Sequence, residues 1–297
     1  MRKTLTYILA IPYMLLPACA PGVEFDAEKI IPVIPESETS DNCLYTSGVH
    51  EDGATISVEL TESGYCLVAE ASDRDIPDYR FEEYVNVNDT LLLTKTQDYF
   101  LHSTEALISG DDTLRMENIR PRVSPITHNL CRSWVPKTTA LTIKTGVGVR
   151  VGKAFSGCNI GEILETVVGY GANLKNLKKT QYSSLAARAV EIHRDYKERA
   201  ETMMVTSLSF TKAGTFIVAF EGIPPYVGNW SWEDEENGIF RCNFSMPDEK
   251  EGSVTVETTG QITFNKDLQC DLCMDASFTS NGIKYLAIAE LICNRII

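Results

Sequence analysis

Along this chain apolar residues recur mainly at every second position, the period of a strand with one buried face. In "ATISVEL", Ala54, Ile56, Val58 and Leu60 share one side, and Thr55, Ser57 and Glu59 the other. "TESG" (Thr61 to Gly64) supplies a turn and "YCLVAE" follows it, so 54–70 reads as a hairpin. The runs "YVNVND", "TLLLTK" and "DYFLHS" come next, with the turn-like "SGDD" behind them. Together these segments predict a small β-rich unit over 43–122. Its end is marked by "RPRVSP", where Pro121 and Pro125 favour an extended linker.

From 126 to 297 the pattern predicts a second, larger unit. Leu141, Ile143, Val147, Val149 and Val151 share a face opposite Thr142, Lys144 and Arg150, as in two strands joined through glycines. The period then lengthens. Asn159 stands three residues before Glu162, a capping-box spacing, and Ile160, Ile163, Leu164, Val167 and Val168 lie on one helical face, so a helix is expected near 160–169. A second is expected at 183–202, where Leu185, Ala189, Ile192, Tyr196 and Met203 recur at three and four. After it the period returns to two. Leu208 and Phe210, Phe216, Val218 and Phe220, Trp230 and Trp232, then Phe240, Cys242 and Phe244 all fall on even positions. Turn residues separate these runs, and further strands at "SVTVE", "QITFN", "LQCDLC" and "KYLAIAELIC" complete an antiparallel meander with one aromatic face. The fold class is therefore mainly β with two inserted helices, an antiparallel barrel preceded by a small β-rich unit.

Charge and the N-terminus narrow what such a chain can do. Lys and Arg number 27 against 41 Asp and Glu, a formal net charge of −14, which would repel phosphate backbones and makes nucleic acid a poor partner. Arg2 and Lys3 precede a mostly apolar run from Leu5 to Leu16, too short to span a bilayer, which takes about 20 residues. Ala18-Cys19-Ala20 fits the small-residue pattern of secretory signals, but cutting there means hydrolysing the bond to Pro21. Leu16-Pro17-Ala18-Cys19 resembles instead the lipobox of bacterial lipoproteins, with Pro17 where a small or aliphatic residue is usual. That resemblance implies a signal peptide over 1–19, lipidation of Cys19 and a membrane anchor at the outer membrane or cell surface. Residues 20–42 then form a hydrated, flexible spacer. Eight cysteines follow it: Cys43, Cys66, Cys131, Cys158, Cys242, Cys270, Cys273 and Cys293. In an exported protein all are candidates for disulfides, with about 105 connectivities open and buried thiols as the alternative.

Over roughly 128–297 the sequence resembles the lipocalin-like domains of bacterial envelope lipoproteins. The resemblance is carried by Phe210-Thr-Lys-Ala-Gly214-Thr215-Phe216, by the G-x-W of Gly228-Asn229-Trp230, and by Trp134 in "LCRSW", where Arg132 takes the place of the usual glycine. A lipocalin-like barrel implies room for one small apolar ligand, with Trp134, Phe220, Trp230 and Trp232 as its walls. The alternative is an aromatic core with no cavity.

Catalytic readings fare worse. Cys270-Asp-Leu-Cys273 has redox spacing but alternates like a strand, whereas an activated thiol of that kind stands at a helix start. It has no second closely spaced pair to complete a zinc site. "GVGVRVGK" misses the phosphate-loop spacing, and Ala154 stands where that motif needs Ser or Thr. His50, His102, His128 and His193 are scattered, and the acidic runs "DRDIPD" and "EDEE" lack the EF-hand order of ligands. No cofactor or metal is expected. The sequence thus points to a non-catalytic envelope lipoprotein, a binding or structural module. The other classes are a surface assembly or adhesion subunit in which the N-terminal unit meets an envelope protein partner, and a secreted redox or hydrolytic enzyme.

Overall fold

The computed structural model describes residues 44–48, 53–72, 77–103, 105–117, 124–145, 150–159, 162, 204–248, 252–265, 268–280 and 283–296. The expected leader, the spacer, Cys43 and, apart from Glu162, the helices near 160–169 and 183–202 lie outside those residues. What is described is mainly β, with one short helix.

The first unit is a closed barrel of eight antiparallel strands. Its strands are β1 (Leu44–Thr46), β2 (Thr55–Leu60), β3 (Tyr65–Ala71), β4 (Asp78–Val87), β5 (Thr90–Leu93), β6 (Tyr99–His102), β7 (Ala106–Ser109) and β8 (Asp112–Met116). Each pairs with its successor, and β8 returns to β1 through Tyr45↔Met116 and Thr46↔Arg115. The alternation read from the sequence explains the closure. Val58, Leu60, Val68, Leu91, Leu93, Phe100, Leu107 and Leu114 form one interior cluster with Tyr45. Closing the ring leaves no edge strand to be covered. Tight turns make this possible with strands this short: Asn88, at φ 54°, sits between β4 and β5, and Gly110, at φ 59°, between β7 and β8. The apolar interior is the reverse of a membrane-spanning barrel, whose lumen is polar and whose outer face is apolar.

The second unit begins with α1 (Pro125–Leu130), capped by the Ser124 hydroxyl accepting from the Thr127 N–H, with Pro125 at the first turn where its missing N–H costs nothing. The linker expected to run to 125 therefore gives way to a helix there. Its strands are β9 (Ser133–Thr145), β10 (Arg150–Ser156), β11 (Val205–Phe210), β12 (Thr215–Phe220), β13 (Tyr226–Asp234), β14 (Ile239–Asp248), β15 (Gly252–Phe264), β16 (Gln269–Ser280) and β17 (Ile283–Arg295). Eight of them, β9 and β11 to β17, close through the β9–β17 pairing. The ninth, β10, lies on the far part of β9, while β11 holds its first residues, Ser133 and Trp134. At the end where β11 turns into β12, Phe210 packs against Phe216, Trp230 and Phe240 with ring centroids 4.9, 5.7 and 5.3 Å away. Gly260 makes room for this cluster, because a Cβ there would stand 2.4 Å from Phe240 Cζ. Helix α1 stoppers the same end: the Trp134 indole donates to the Leu130 carbonyl and the Trp232 indole to the Thr127 hydroxyl.

The two barrels repeat one another. Tyr45↔Val58 in the first corresponds to Trp134↔Leu208 in the second. The turns Thr61-Glu-Ser-Gly64 and Thr211-Lys-Ala-Gly214 have the same bonds, from the Thr N–H to the carbonyl four residues on and from the Gly N–H back to the Thr carbonyl. An aromatic on the next strand caps each turn. Tyr84 N–H donates to the Gly64 carbonyl and Trp230 N–H to that of Gly214. Their side chains then reach the Thr61 and Thr211 carbonyls. Even the closing bonds match, Glu117 N–H to Leu44 and Ile296 N–H to Ser133. Among the described residues nothing picks out the second barrel as lipocalin-like; apart from β10, the two barrels run in the same up-and-down order.

Candidate functional site

The residues expected to wall a ligand pocket are only partly brought together. Trp230 and Trp232 meet edge to face at 5.4 Å, and Trp232 also meets Phe240. Trp134 is buried against Phe264, and Phe220 lies at the far end of β12 against Tyr226. All three indole N–H groups have protein acceptors: Leu130, Thr211 and Thr127. This end of the barrel is a packed aromatic core.

The first barrel differs at the end away from the repeated turn. There a cleft of about 330 Å³ opens over Ile56, Val68 and Phe100, with Glu70, Arg80, Asp98 and Tyr99 at its rim. The pairing Val68↔Arg80 puts the guanidinium beside the cleft on the neighbouring strand. Its two ends donate to Glu70 Oε1 at 2.6 Å and Asp98 Oδ2 at 2.5 Å. Partial burial opposes the Arg80 charge, but bonding and attraction to Asp98 and Glu70 outweigh it and hold the group above its ordinary value. Asp98 depends in turn on Glu82. That buried carboxylate accepts the Lys95 and Thr96 N–H groups at 2.8 and 2.9 Å and the Thr96 hydroxyl at 3.0 Å. It therefore fixes the loop on which Asp98 stands.

A second polar concentration lies between the barrels, where their repeated turns meet. Glu62 and Lys212 hold the same position in the two turns and pair at 2.5 Å, with side chains 3% and 6% exposed. Arg132, 7% exposed, is 3.5 Å from the other Glu62 oxygen. Around them the Ser133 N–H donates to the Ser63 hydroxyl and the Thr215 hydroxyl to Glu59. Burial raises the Glu59 carboxyl above its ordinary value, partly offset by the Thr211 and Thr215 hydroxyls. Burial likewise lowers Arg132 and His128, and His128 Nε2 lies 3.0 Å from the Arg132 guanidinium. This histidine is thus part of the junction rather than of a nucleophile's surroundings.

The described cysteines, Cys66, Cys131, Cys158, Cys242, Cys270, Cys273 and Cys293, are buried free thiols. Burial pushes Cys66 and Cys158 up to about 12, and raises Cys131, Cys242 and Cys270 as well. Cys270 and Cys273 both sit on strand β16, away from any helix start. Among the described residues no group of three or more His, Cys, Asp or Glu could hold a metal ion.

Sequence reading missed Glu62, Lys212 and Arg132, and also the Arg80 bridge. The available signal was the recurrence of T-x-x-G behind the alternating runs "ISVEL" and "TSLSF", with "LVA" and "IVA" after it.

No family model matches the chain, and no curated protein matches it. Among solved structures, a chain provisionally named an outer membrane protein, from Bacteroides fragilis NCTC 9343, is similar over 85% of this chain and 96% of its own, at 8% identity and a TM-score of 0.23. A score that low does not indicate a shared arrangement. The class defined by the structure itself is a tandem of closed antiparallel barrels, one of them with an open, rimmed end.

Proposed function

We propose that this chain is a non-catalytic binding module of the bacterial cell envelope, held to a membrane by a lipid on Cys19, and that its first barrel takes a small apolar ligand. The observation that carries the ligand reading is the cleft over Ile56, Val68 and Phe100, an apolar floor beneath an Arg80 bridge. Convergent polar groups over an apolar base are the usual makeup of a small-molecule site. This reading sets the ligand in the first barrel rather than among Trp134, Phe220, Trp230 and Trp232. The envelope reading rests on the leader "MLLPACAPG" and its resemblance to a lipobox.

Native mass spectrometry of the chain from residue 20 onward, purified from a bacterial membrane extract, tests the ligand. A stoichiometric lipid-like adduct is expected, and Ile56→Trp, which fills the cleft from a half-buried floor residue, should abolish it. An adduct unchanged in that variant, or none in the parent, would overturn the site. Metabolic labelling with a fatty acid, lost in Cys19→Ser, tests the anchor separately.

A second reading, surface assembly through the first barrel, is favoured by one observation. Val85, Leu92 and Tyr99 line up across β4, β5 and β6, and Val87, Thr90 and Leu101 form the next row. Val87 is 54% and Tyr99 58% exposed. Sedimentation velocity of the chain from residue 20 onward decides this reading, with self-association weakened by Val87→Lys as the supporting outcome and a monomer at all concentrations as the opposing one.

A further inference from the structure

We infer that the ligand of the first barrel carries a cationic head, an ammonium group on a single apolar tail, held where the rim carboxylates outnumber Arg80. The inference rests on the cleft reading above and adds the ligand's charge to it. The strand register places the rim. Ile56, Glu70 and Asp78 are partners in one row across β2, β3 and β4, and Val58, Val68 and Arg80 in the next. Partners in a row leave the sheet on the same side. Val58 and Val68 belong to the interior cluster and Ile56 packs against it, so Glu70, Asp78 and Arg80 stand on the interior face at the open end.

Glu70 and Asp78 are thus like charges set directly opposite each other, an arrangement that costs stability until a cation joins them. Arg80 does not serve Asp78, because its two terminal nitrogens are committed to Glu70 Oε1 and Asp98 Oδ2. Among the described residues no Lys or Arg pairs with Asp78, and the remaining oxygens, Glu70 Oε2 and Asp98 Oδ1, accept no hydrogen bond. Behind the Asp98 loop stands the Glu82 carboxylate, bonded by N–H and hydroxyl groups and by no Lys or Arg side chain. In the lining of the cleft Arg80 is the one cation among the described residues. Carboxylates in excess above an apolar floor concentrate a negative field. An ammonium group brings three donors and no acceptor, which suits those oxygens. A ligand carboxylate or phosphate would instead have to displace Glu70 or Asp98 from Arg80 and leave the displaced group beside its own charge.

The full chain, carrying Cys19→Ser so that no anchor is attached, is titrated by calorimetry at pH 7 and low salt with octylammonium, octanol and octanoate. These probes share a tail and differ in head charge. Octylammonium is expected to bind about fivefold more tightly than octanol, a margin that added salt narrows, and octanoate more weakly than either. Asp78→Asn, which removes a rim charge and no ion pair, should narrow the margin, and adding Glu70→Gln should narrow it again. Octanol or octanoate binding as tightly as octylammonium, with binding lost in Ile56→Trp, would overturn the cationic head and leave the cleft reading standing. Binding of none of the three, or binding indifferent to Ile56→Trp, would overturn both.

Discussion

Glu59 is a carboxyl group facing the junction from β2, buried and with one oxygen, Oε1, lacking a hydrogen-bond partner. Burial raises its folded-state value above the ordinary 4.5. A group raised in this way favours the fold while protonated, so its contribution is complete below about pH 4.5 and is lost as pH climbs through the raised value. Glu59→Gln keeps an oxygen for the Thr215 hydroxyl and removes the charge. Its stability in urea should therefore exceed the parent's at neutral pH and change less on acidification; a variant weaker than the parent at pH 7 would refute this account. Gly260 poses a steric question at the same scale. With Phe240 Cζ 2.4 Å from where a Cβ would be, Gly260→Ala should cost about 1 to 3 kcal/mol through overpacking. Adding Phe240→Leu should recover part of that loss, so the denaturation midpoints of the two substitutions will not add.

At the scale of elements, the repeated turns meet through opposite charges that are almost wholly withdrawn from water. Breaking one partner of such a pair costs about 3 to 5 kcal/mol because the remaining charge stays buried, while replacing both with apolar groups often costs far less. Glu62→Met should lower stability strongly, because it strands both Lys212 and Arg132, and adding Lys212→Met should recover part of that loss; an additive double variant would show that the pair is not coupled. Little of this junction was legible in the sequence. The strands were, because Phe210, Phe216, Trp230 and Phe240 keep one parity through the second barrel and Val58 and Val68 through the first. Closure of the first unit was not, since pairing between β1 and β8 joins residues such as Tyr45 and Met116 that are remote in sequence, and no local pattern encodes that. Nor could alternation reveal Lys212 and Glu62 as buried. In turns, charged residues are ordinarily solvated, and only the second barrel's presence removes the water. The ligand set was read from aromatic bulk, but bulk fills a barrel as readily as it lines one: Trp230 of that set packs on Phe210 and on Trp232.

For the whole molecule, the junction should couple the unfolding of the two barrels, and the placement of the tryptophans makes that measurable. Trp134, Trp230 and Trp232 all lie in the second barrel, so tryptophan emission reports its unfolding alone. A lesion confined to the first barrel should reach that signal through the junction, where Glu62 meets Lys212 and Arg132, Ser63 meets Ser133 and Glu59 meets Thr215. Leu114, fully buried in the first barrel, provides the lesion: Leu114→Ala should cost about 2 to 5 kcal/mol by cavity formation. In the parent background this substitution should move the tryptophan-monitored urea midpoint downward. In a Lys212→Met background, where the shortest ion pair of the junction is gone, the same substitution should move the tryptophan transition less than it does in the parent. Coupled barrels would also carry an effect of occupancy at the first barrel's mouth to the second, because a ligand that binds only the folded state stabilises everything that unfolds with its site. A tryptophan midpoint indifferent to Leu114→Ala in the parent would mean that the buried ion pair joins two independently folding domains, and occupancy of the cleft would then be confined to the first.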